Sequence, residues 1–241
     1  MRFEELDYAE TPIGAISLRR RLDPVLDIDV YEVKLGEEYL MSSLFVHAEE
    51  ELARLGLAAV NGSGLAVVVG GLGLGYTARA ALHDDRTGSL WVVETLAEVI
   101  GWHRRELLPT SRELNADVRS QVVGADFFAL ARSGAGFDPM TPGRRFDVVL
   151  LDVDHSPSRP LHPSHADFYQ PAGLRRLADQ LEPGGALAVW SNDPPEDDFV
   201  AALTEVFGTV DAHVVSFPNP LQQRDATNTV YVASAHPPDT R

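Results

Sequence analysis

Four glycines, Gly70, Gly71, Gly73 and Gly75, close the apolar run Val67-Val68-Val69 and lead into Tyr76-Thr77-Ala78. A chain turning sharply from strand to helix needs the positive φ that glycine permits, and a turn without side chains lets a ligand approach the backbone N–H groups. Glu94 ends the next apolar run, roughly 20 residues further on, where a carboxylate can accept hydrogen bonds from two ribose hydroxyls. Turn and carboxylate together point to a ligand built on adenosine. Gly73-Leu74-Gly75-Tyr76-Thr77-Ala78 also fits the G-x-G-x-x-A dinucleotide fingerprint, so the turn alone admits a nicotinamide cofactor as well as a methionine-derived one.

Further along, Gly124-Ala125-Asp126 follows a third apolar run, where the Asp126 carboxylate can reach an adenine amino group and Phe127 and Phe128 can flank the base. A fourth run ends in Asp152-Val153-Asp154-His155. An amine nucleophile must be free of its proton to attack, and a carboxylate can accept that proton or hold the amine in line. Asp152 is the expected catalytic group, with Asp154 and His155 as alternatives. His155, His162 and His165 with the two aspartates suit a divalent ion by type, but their spacing matches no metal signature, and no metal is expected. Pro157, Pro160 and Pro163 instead suggest a stiff lid that keeps water out. Trp190-Ser191-Asn192-Asp193-Pro194-Pro195 reads as a strand-to-helix connection. Asn192, Asp193, Asn219, Gln222, Gln223 and Asn228 are open between substrate contact and turn chemistry.

These residues need strands that end together. Apolar runs at 65–70, 90–94, 118–123, 146–152 and 186–191 are continuous, as strands covered on both faces are, and helical stretches at 98–107 and 173–181 lie between them. Pro183-Gly184-Gly185 breaks the chain before the fifth strand. A helix over 196–207 and strands over 212–217 and 229–235 follow, the last two joined by a loop and forming an antiparallel pair; residues 236–241 read as a frayed tail. The expected fold is α/β, a doubly wound, mostly parallel seven-stranded sheet of the class I methyltransferase (Rossmann-like) type with a terminal antiparallel pair. Before it, residues 13–22 and 25–35 read as extended, separated by Asp23-Pro24, and Leu44, Ala48, Leu52 and Leu55 share one face of a helix capped at Ser42 or Ser43. The expected organisation is a small β-rich piece over 1–42 and a nucleoside-binding catalytic domain over 43–241.

The 241 residues are 44% hydrophobic, include no cysteine and carry a formal charge of −16. Disulfides and thiolate metal sites are thereby excluded. No apolar run approaches the roughly 20 residues needed to span a bilayer, and the N-terminus lacks a signal-peptide layout, so a cytoplasmic protein with no membrane partner is expected. The acidic charge disfavours nucleic acid, the candidate basic patches Arg19-Arg20-Arg21 and Arg144-Arg145 being short, and suits a cationic small-molecule acceptor such as an amine.

From about residue 35 to 235 the sequence resembles the spermidine synthase family, within the class I S-adenosylmethionine-dependent methyltransferases. The resemblance rests on residues 69–75, Val92-Val93-Glu94, Glu98-Val99-Ile100, Gly124-Ala125-Asp126, 146–152, Phe168-Tyr169 and Leu181-Glu182-Pro183-Gly184-Gly185. It implies a ribose-binding Glu94, an adenine-binding Asp126, an Asp152 facing an amine, and a β-rich front piece that takes part in a homodimer. Aminopropyltransferases of the family also carry an Asp in the glycine loop for the amino group of decarboxylated S-adenosylmethionine. Gly73 stands at that position, and Ser43-Leu44-Phe45-Val46-His47-Ala48-Glu49-Glu50-Glu51 stands where the family has Tyr-(Gln/His)-Glu. Asp152-Val153-Asp154-His155 replaces the family's Asp-x-x-Asp-Pro, and Trp190-Ser191 replaces a Gln. The expected function is therefore methyl transfer from S-adenosylmethionine to a small acceptor. The alternatives are aminopropyl transfer from the decarboxylated form and a non-catalytic nucleoside-binding role.

Overall fold

Every residue of β5 (Leu65–Gly70) is buried, and Val148 to Leu151 of β8 (Phe146–Leu151) are buried beside it, because both strands lie in the middle of a sheet covered by helices on both faces. The computed structural model describes residues 3–219 and 224–235. On one side of β5 lie β6 (Thr87–Glu94) and β7 (Ser120–Gly124); on the other lie β8, β9 (Leu181–Ser191), β11 (Arg224–Ala235) and β10 (Gly208–Asn219). Pairings from β7 through to β9 are parallel, and β11 runs antiparallel to both β9 and β10. Numbered from β5 as first strand, the order is 3-2-1-4-5-7-6. This is the class I methyltransferase arrangement, with the expected terminal antiparallel pair.

Two predicted boundaries shift for physical reasons. Pro183-Gly184-Gly185 does not precede β9 but bulges from it: the β8 partners jump from Leu181 to Ala186, and Gly184 takes the left-handed conformation at φ +82°. The expected loop after residue 217 is instead the continuation of a long hairpin whose pairing runs out to Asn219 and Arg224. Gln222, Gln223 and the tail 236–241 lie outside the described residues.

Ahead of this sheet, β1 (Phe3–Thr11), β2 (Gly14–Asp23), β3 (Ile28–Leu35) and β4 (Glu38–Ser42) form an antiparallel meander. The expected turn at Asp23 is closed by its own carboxylate, which accepts from the N–H groups of Val25 (3.0 Å) and Leu26 (3.1 Å). The arginine run of β2 is neutralised within the meander: Arg19 faces Glu5, Arg20 faces Glu4, and Arg21 bridges Asp23 and Glu32.

Helix α1 (His47–Ala58) then carries the chain onto the main sheet, its start at Val46 made without a side-chain cap rather than at Ser42 or Ser43. Ile16, Leu18 and Val33 of the meander share one apolar core with Leu52 and Leu57 of α1 and with β5, β8 and β9. The indole N–H of Trp102, in α3 (Ala97–Arg104), ties the meander down by donating to Asp7 at 2.7 Å. A second core on the other face holds an aromatic group of Phe127, Phe128, Phe137, Phe146 and Phe168. Among the described residues no helix is long and apolar enough to cross a membrane.

Candidate active site

The glycine turn joins β5 to α2 (Tyr76–His83) and lies at the carboxyl edge of the sheet. At Gly71, with φ +95°, an added Cβ would sit 2.1 Å from the Asp152 carbonyl oxygen, so no other residue fits where the β5 and β8 ends meet. Gly75, with φ +86°, begins α2, and a Cβ there would be 2.6 Å from Thr110 Oγ1 and 2.9 Å from the His103 ring. These are the elements behind the turn. His103 on α3 donates from Nε2 to the Gly73 carbonyl at 2.9 Å, and Thr110 donates to the Leu74 carbonyl at 2.6 Å. Ser111, the first residue of α4 (Ser111–Ala116), stands 3.2 Å from His103 Nδ1, a nitrogen left as acceptor once Nε2 donates. Burial pushes the His103 pKa down, and the Gly73 hydrogen bond opposes it only in part, which keeps the ring neutral.

From the front the turn is held by Glu94. Its Oε2 accepts from the Leu72 N–H at 3.0 Å and its Oε1 from the Leu96 N–H at 2.8 Å. Burial raises its pKa, while these N–H groups and those of Gly73 and Thr95 pull it back. Each carboxylate oxygen has a second lone pair, so the predicted ribose contact is compatible with this role. Asp126, after β7, uses Oδ1 to cap α5 (Phe127–Ser133), accepting from the Ala129 N–H at 3.1 Å.

Phe127 corrects the expectation that it flanks a base. Its ring is buried, stacked on Phe137 at 5.0 Å, and lies beneath Gly70, where a Cβ would meet it at 2.7 Å. The Phe127 ring points into the core beneath β5, and Gly70 is a glycine because of it.

The three residues expected after β8 separate into different roles. Asp152 sits over the turn, with Thr77 of α2 donating to its Oδ2 at 2.7 Å. Asp154 is buried and saturated. It accepts from the Leu161 N–H (2.7 Å), His165 Nδ1 (2.9 Å) and the Tyr169 hydroxyl (2.7 Å), and so binds the proline-rich segment 155–169 to the body. Burial, with the Asp154 carboxylate adding to it, holds the Tyr169 phenol well above its usual range. His155 Nε2 lies 3.4 Å from Glu38 at the end of the meander, and its carbonyl accepts from the Asn192 N–H at 2.7 Å.

His162 is turned to Ser164 and caps the 3-10 helix Pro163–Tyr169, while His165 stacks on Phe128 at 3.9 Å. Among the described residues no three His, Asp or Glu side chains are arranged to hold a metal. Asn192 accepts from Asn228 of β11 at 3.2 Å, and Asp193 grips Arg159 through both oxygens, so the first fastens the loop to the sheet and the second to the proline-rich segment.

One cleft, about 90 Å³, gathers the turn (Leu72 to Tyr76), Asp152, Val153, Asp154 and His155, and with them Leu40, Met41, Glu49, Leu161 and Trp190. A wider open groove of about 720 Å³ runs past Arg145, Asp147 and Glu182, but at the amino ends of the strands, opposite to where open α/β sheets bind ligands.

Glu49 is the group that the sequence reading missed. Burial first, and then the Asp152 charge, push its pKa up to about 8, and burial pushes Asp152 up to about 6 against the Thr77 hydrogen bond. The two are acids competing for one charge in one cleft. A signal existed. Glu49 precedes buried Ala53 by one helical turn, so it borders the apolar stripe of α1 rather than its solvated face.

No protein-family model matches the sequence, and no curated protein matches it. Solved structures match along nearly its whole length. A spermidine synthase in complex with the transition state analogue AdoDATO superposes with a TM-score of 0.72 at 19% identity, covering 97% of this chain and 73% of that one. The spermidine synthase from Thermotoga maritima gives 0.73 at 18% identity over the same shares. At these identities the likeness is one of architecture: the chain has a spermidine synthase-like, Rossmann-type methyltransferase fold with an antiparallel sheet at its N-terminal end.

Proposed function

We propose that this protein is a transferase that moves an alkyl group from an adenosyl sulfonium donor to an amine. The observation that carries the reading is the cleft itself, which sets a glycine turn gripped by Glu94 against two carboxylates, Asp152 and Glu49. The turn fits such a donor, because Gly73 and Gly75 line the cleft without side chains and Glu94 keeps acceptor capacity beside the turn. A spermidine synthase of the same fold, in complex with AdoDATO, supports an adenosyl ligand. Once bound, the donor supplies an electrophilic carbon: the amine nitrogen forms the new N–C bond, and the C–S bond breaks with its electron pair left on sulfur as a neutral thioether.

The chain's own residues hold the reactants and move protons. Asp152, kept in place by Thr77, accepts a hydrogen bond from the amine and orients its lone pair. With pKa values raised into the neutral range, Asp152 and Glu49 can take up the proton that the amine sheds. The segment 155–169, fastened by Asp154, roofs the cleft and limits water.

Methyl transfer is favoured by the turn itself: Gly73 offers no carboxylate to an amino group of the donor, and Met41 Sδ packs 3.0 Å from where its Cβ would stand. Aminopropyl transfer is the second reading, favoured by the spermidine synthase architecture. Calorimetric titration with S-adenosylmethionine, decarboxylated S-adenosylmethionine, methylthioadenosine and NAD decides among them. Tighter binding of S-adenosylmethionine supports methyl transfer and tighter binding of the decarboxylated form supports aminopropyl transfer, whereas binding of NAD alone refutes the transferase.

A further inference from the structure

The titratable acids and the histidine that line the cleft are Glu49, Asp152, Asp154 and His155. Glu49 and Asp152 make no ion pair with a basic side chain among the described residues. The neighbouring charges are already engaged. Glu50 holds Arg79 at 3.0 Å, and that guanidinium lies over the Tyr76 ring. Asp154 has three donors, and His155 faces Glu38, which is itself exposed at the rim. One unneutralised acidic pair therefore faces the cleft, and it suits a single ammonium.

The remaining wall is apolar. Leu40 and Met41 come from β4, Val153 from just after β8, Leu161 from the roofing segment, and Trp190 from the end of β9. The Trp190 indole packs on the main core, and its buried Nε1 has no hydrogen-bond partner, so packing alone sets its position. A second ammonium against this wall would lose its water and meet no free carboxylate, a costly placement. An apolar or aromatic body would bury its surface against Met41, Leu161 and Trp190, where each methylene-sized group gained or lost is worth on the order of tenfold.

We propose that the acceptor is a monoamine with an apolar or aromatic body, its ammonium end between Glu49 and Asp152 and its body against Met41, Leu161 and Trp190. The inference rests on the transferase reading and narrows it, because a linear diamine is disfavoured.

The test is titration of the full chain, saturated with methylthioadenosine, with 2-phenylethylamine, 1,4-diaminobutane and 2-phenylethanol, read by calorimetry and by Trp190 emission. Trp91 and Trp102 are buried and do not line this cleft. The expected result is that phenylethylamine binds about tenfold or more tightly than either comparison compound. Trp190→Gln should remove that advantage, while Trp190→Phe, which keeps an aromatic face, should retain most of it. Diaminobutane or phenylethanol binding as tightly as phenylethylamine would overturn the inference, as would a Trp190→Gln protein with unchanged preference. Methylthioadenosine is titrated first and alone: if it binds and the amines are not discriminated, only the acceptor inference falls, and if it does not bind, the transferase reading falls with it.

Discussion

Replacing Glu49 by Gln keeps the shape of the side chain and removes its charge from the cleft. With its pKa held up to about 8, the folded protein keeps the Glu49 proton over an interval in which the unfolded chain, near 4.5, has already released it. The stability tied to that proton is complete below about pH 4.5 and is lost as the pH rises through about 8. At about 1.36 kcal/mol per pH unit, the whole displacement would oppose folding by about 5 kcal/mol in alkaline solution. Glu49 is half-buried in a cleft that opens to water, and screening there reduces the figure to about 1–2 kcal/mol.

Glu49→Gln should therefore be more stable than the parent by about 1–2 kcal/mol near pH 8.5, raising Tm by about 3–6 °C in a chain of this size. Near pH 5, where the parent carboxyl is mostly protonated, the two proteins should melt together. Thermal unfolding followed by circular dichroism at both pH values measures this directly. In the double variant with Asp152→Asn, the alkaline gain from Glu49→Gln should shrink, because part of it is repulsion by Asp152. A Tm difference that is the same at both pH values, or a loss at pH 8.5, would refute a shared-charge pair.

Asp152→Asn should lower turnover by about 100-fold or more while leaving methylthioadenosine affinity within a fewfold, as expected for a group that orients or deprotonates the amine; full activity would remove Asp152 from the mechanism. His103→Phe fills the same space but leaves the Gly73 carbonyl without its donor, and nucleoside affinity should drop about tenfold by calorimetry. Unchanged affinity would mean that Glu94 and Thr110 suffice to set the turn. Asp154→Asn takes away a buried charged acceptor shared by three donors and should cost about 2–3 kcal/mol in denaturant unfolding, with faster proteolytic cleavage within 155–169. Parent-like cleavage would show that the segment is held by other contacts.

The architecture was legible because its signals are local and redundant. A run such as residues 65–70, apolar at every position, has few places to go except the middle of a covered sheet, and the β6 and β8 runs repeat the message at the right intervals. Where the reading slipped, the deciding contact came from elsewhere in the chain. Pro183-Gly184-Gly185 contains the residues of a break, yet β8 and β9 pair on both sides of it, and the three residues are pushed out as a bulge. The meander was underestimated because β1 mixes acids with aromatics, and its place depends on arginines in β2 and on Trp102, which is far away in sequence.

The site divides along the same line. Glycines and strand-end carboxylates announce themselves by type and spacing, and the cleft does place Asp152 beside the turn that Glu94 grips. A side chain's partner is not announced. Asp152 and Asp154 differ by two residues, but Asp154 meets Tyr169, His165 and the Leu161 N–H and becomes a fastening, while Asp152 meets Thr77 and Glu49 and stays available. In a chain with 36 acidic residues the count says little about which one does chemistry. What distinguishes a working carboxylate is that it faces a cleft and no cation answers it. Of the acids that line this cleft, Asp152 meets that condition just after β8, and Glu49 joins it from a helix more than a hundred residues earlier. A reaction that needs a proton acceptor near neutral pH is thus better served by the pair than by either member, since burial raises the proton affinity of both and the Asp152 charge adds to that of Glu49.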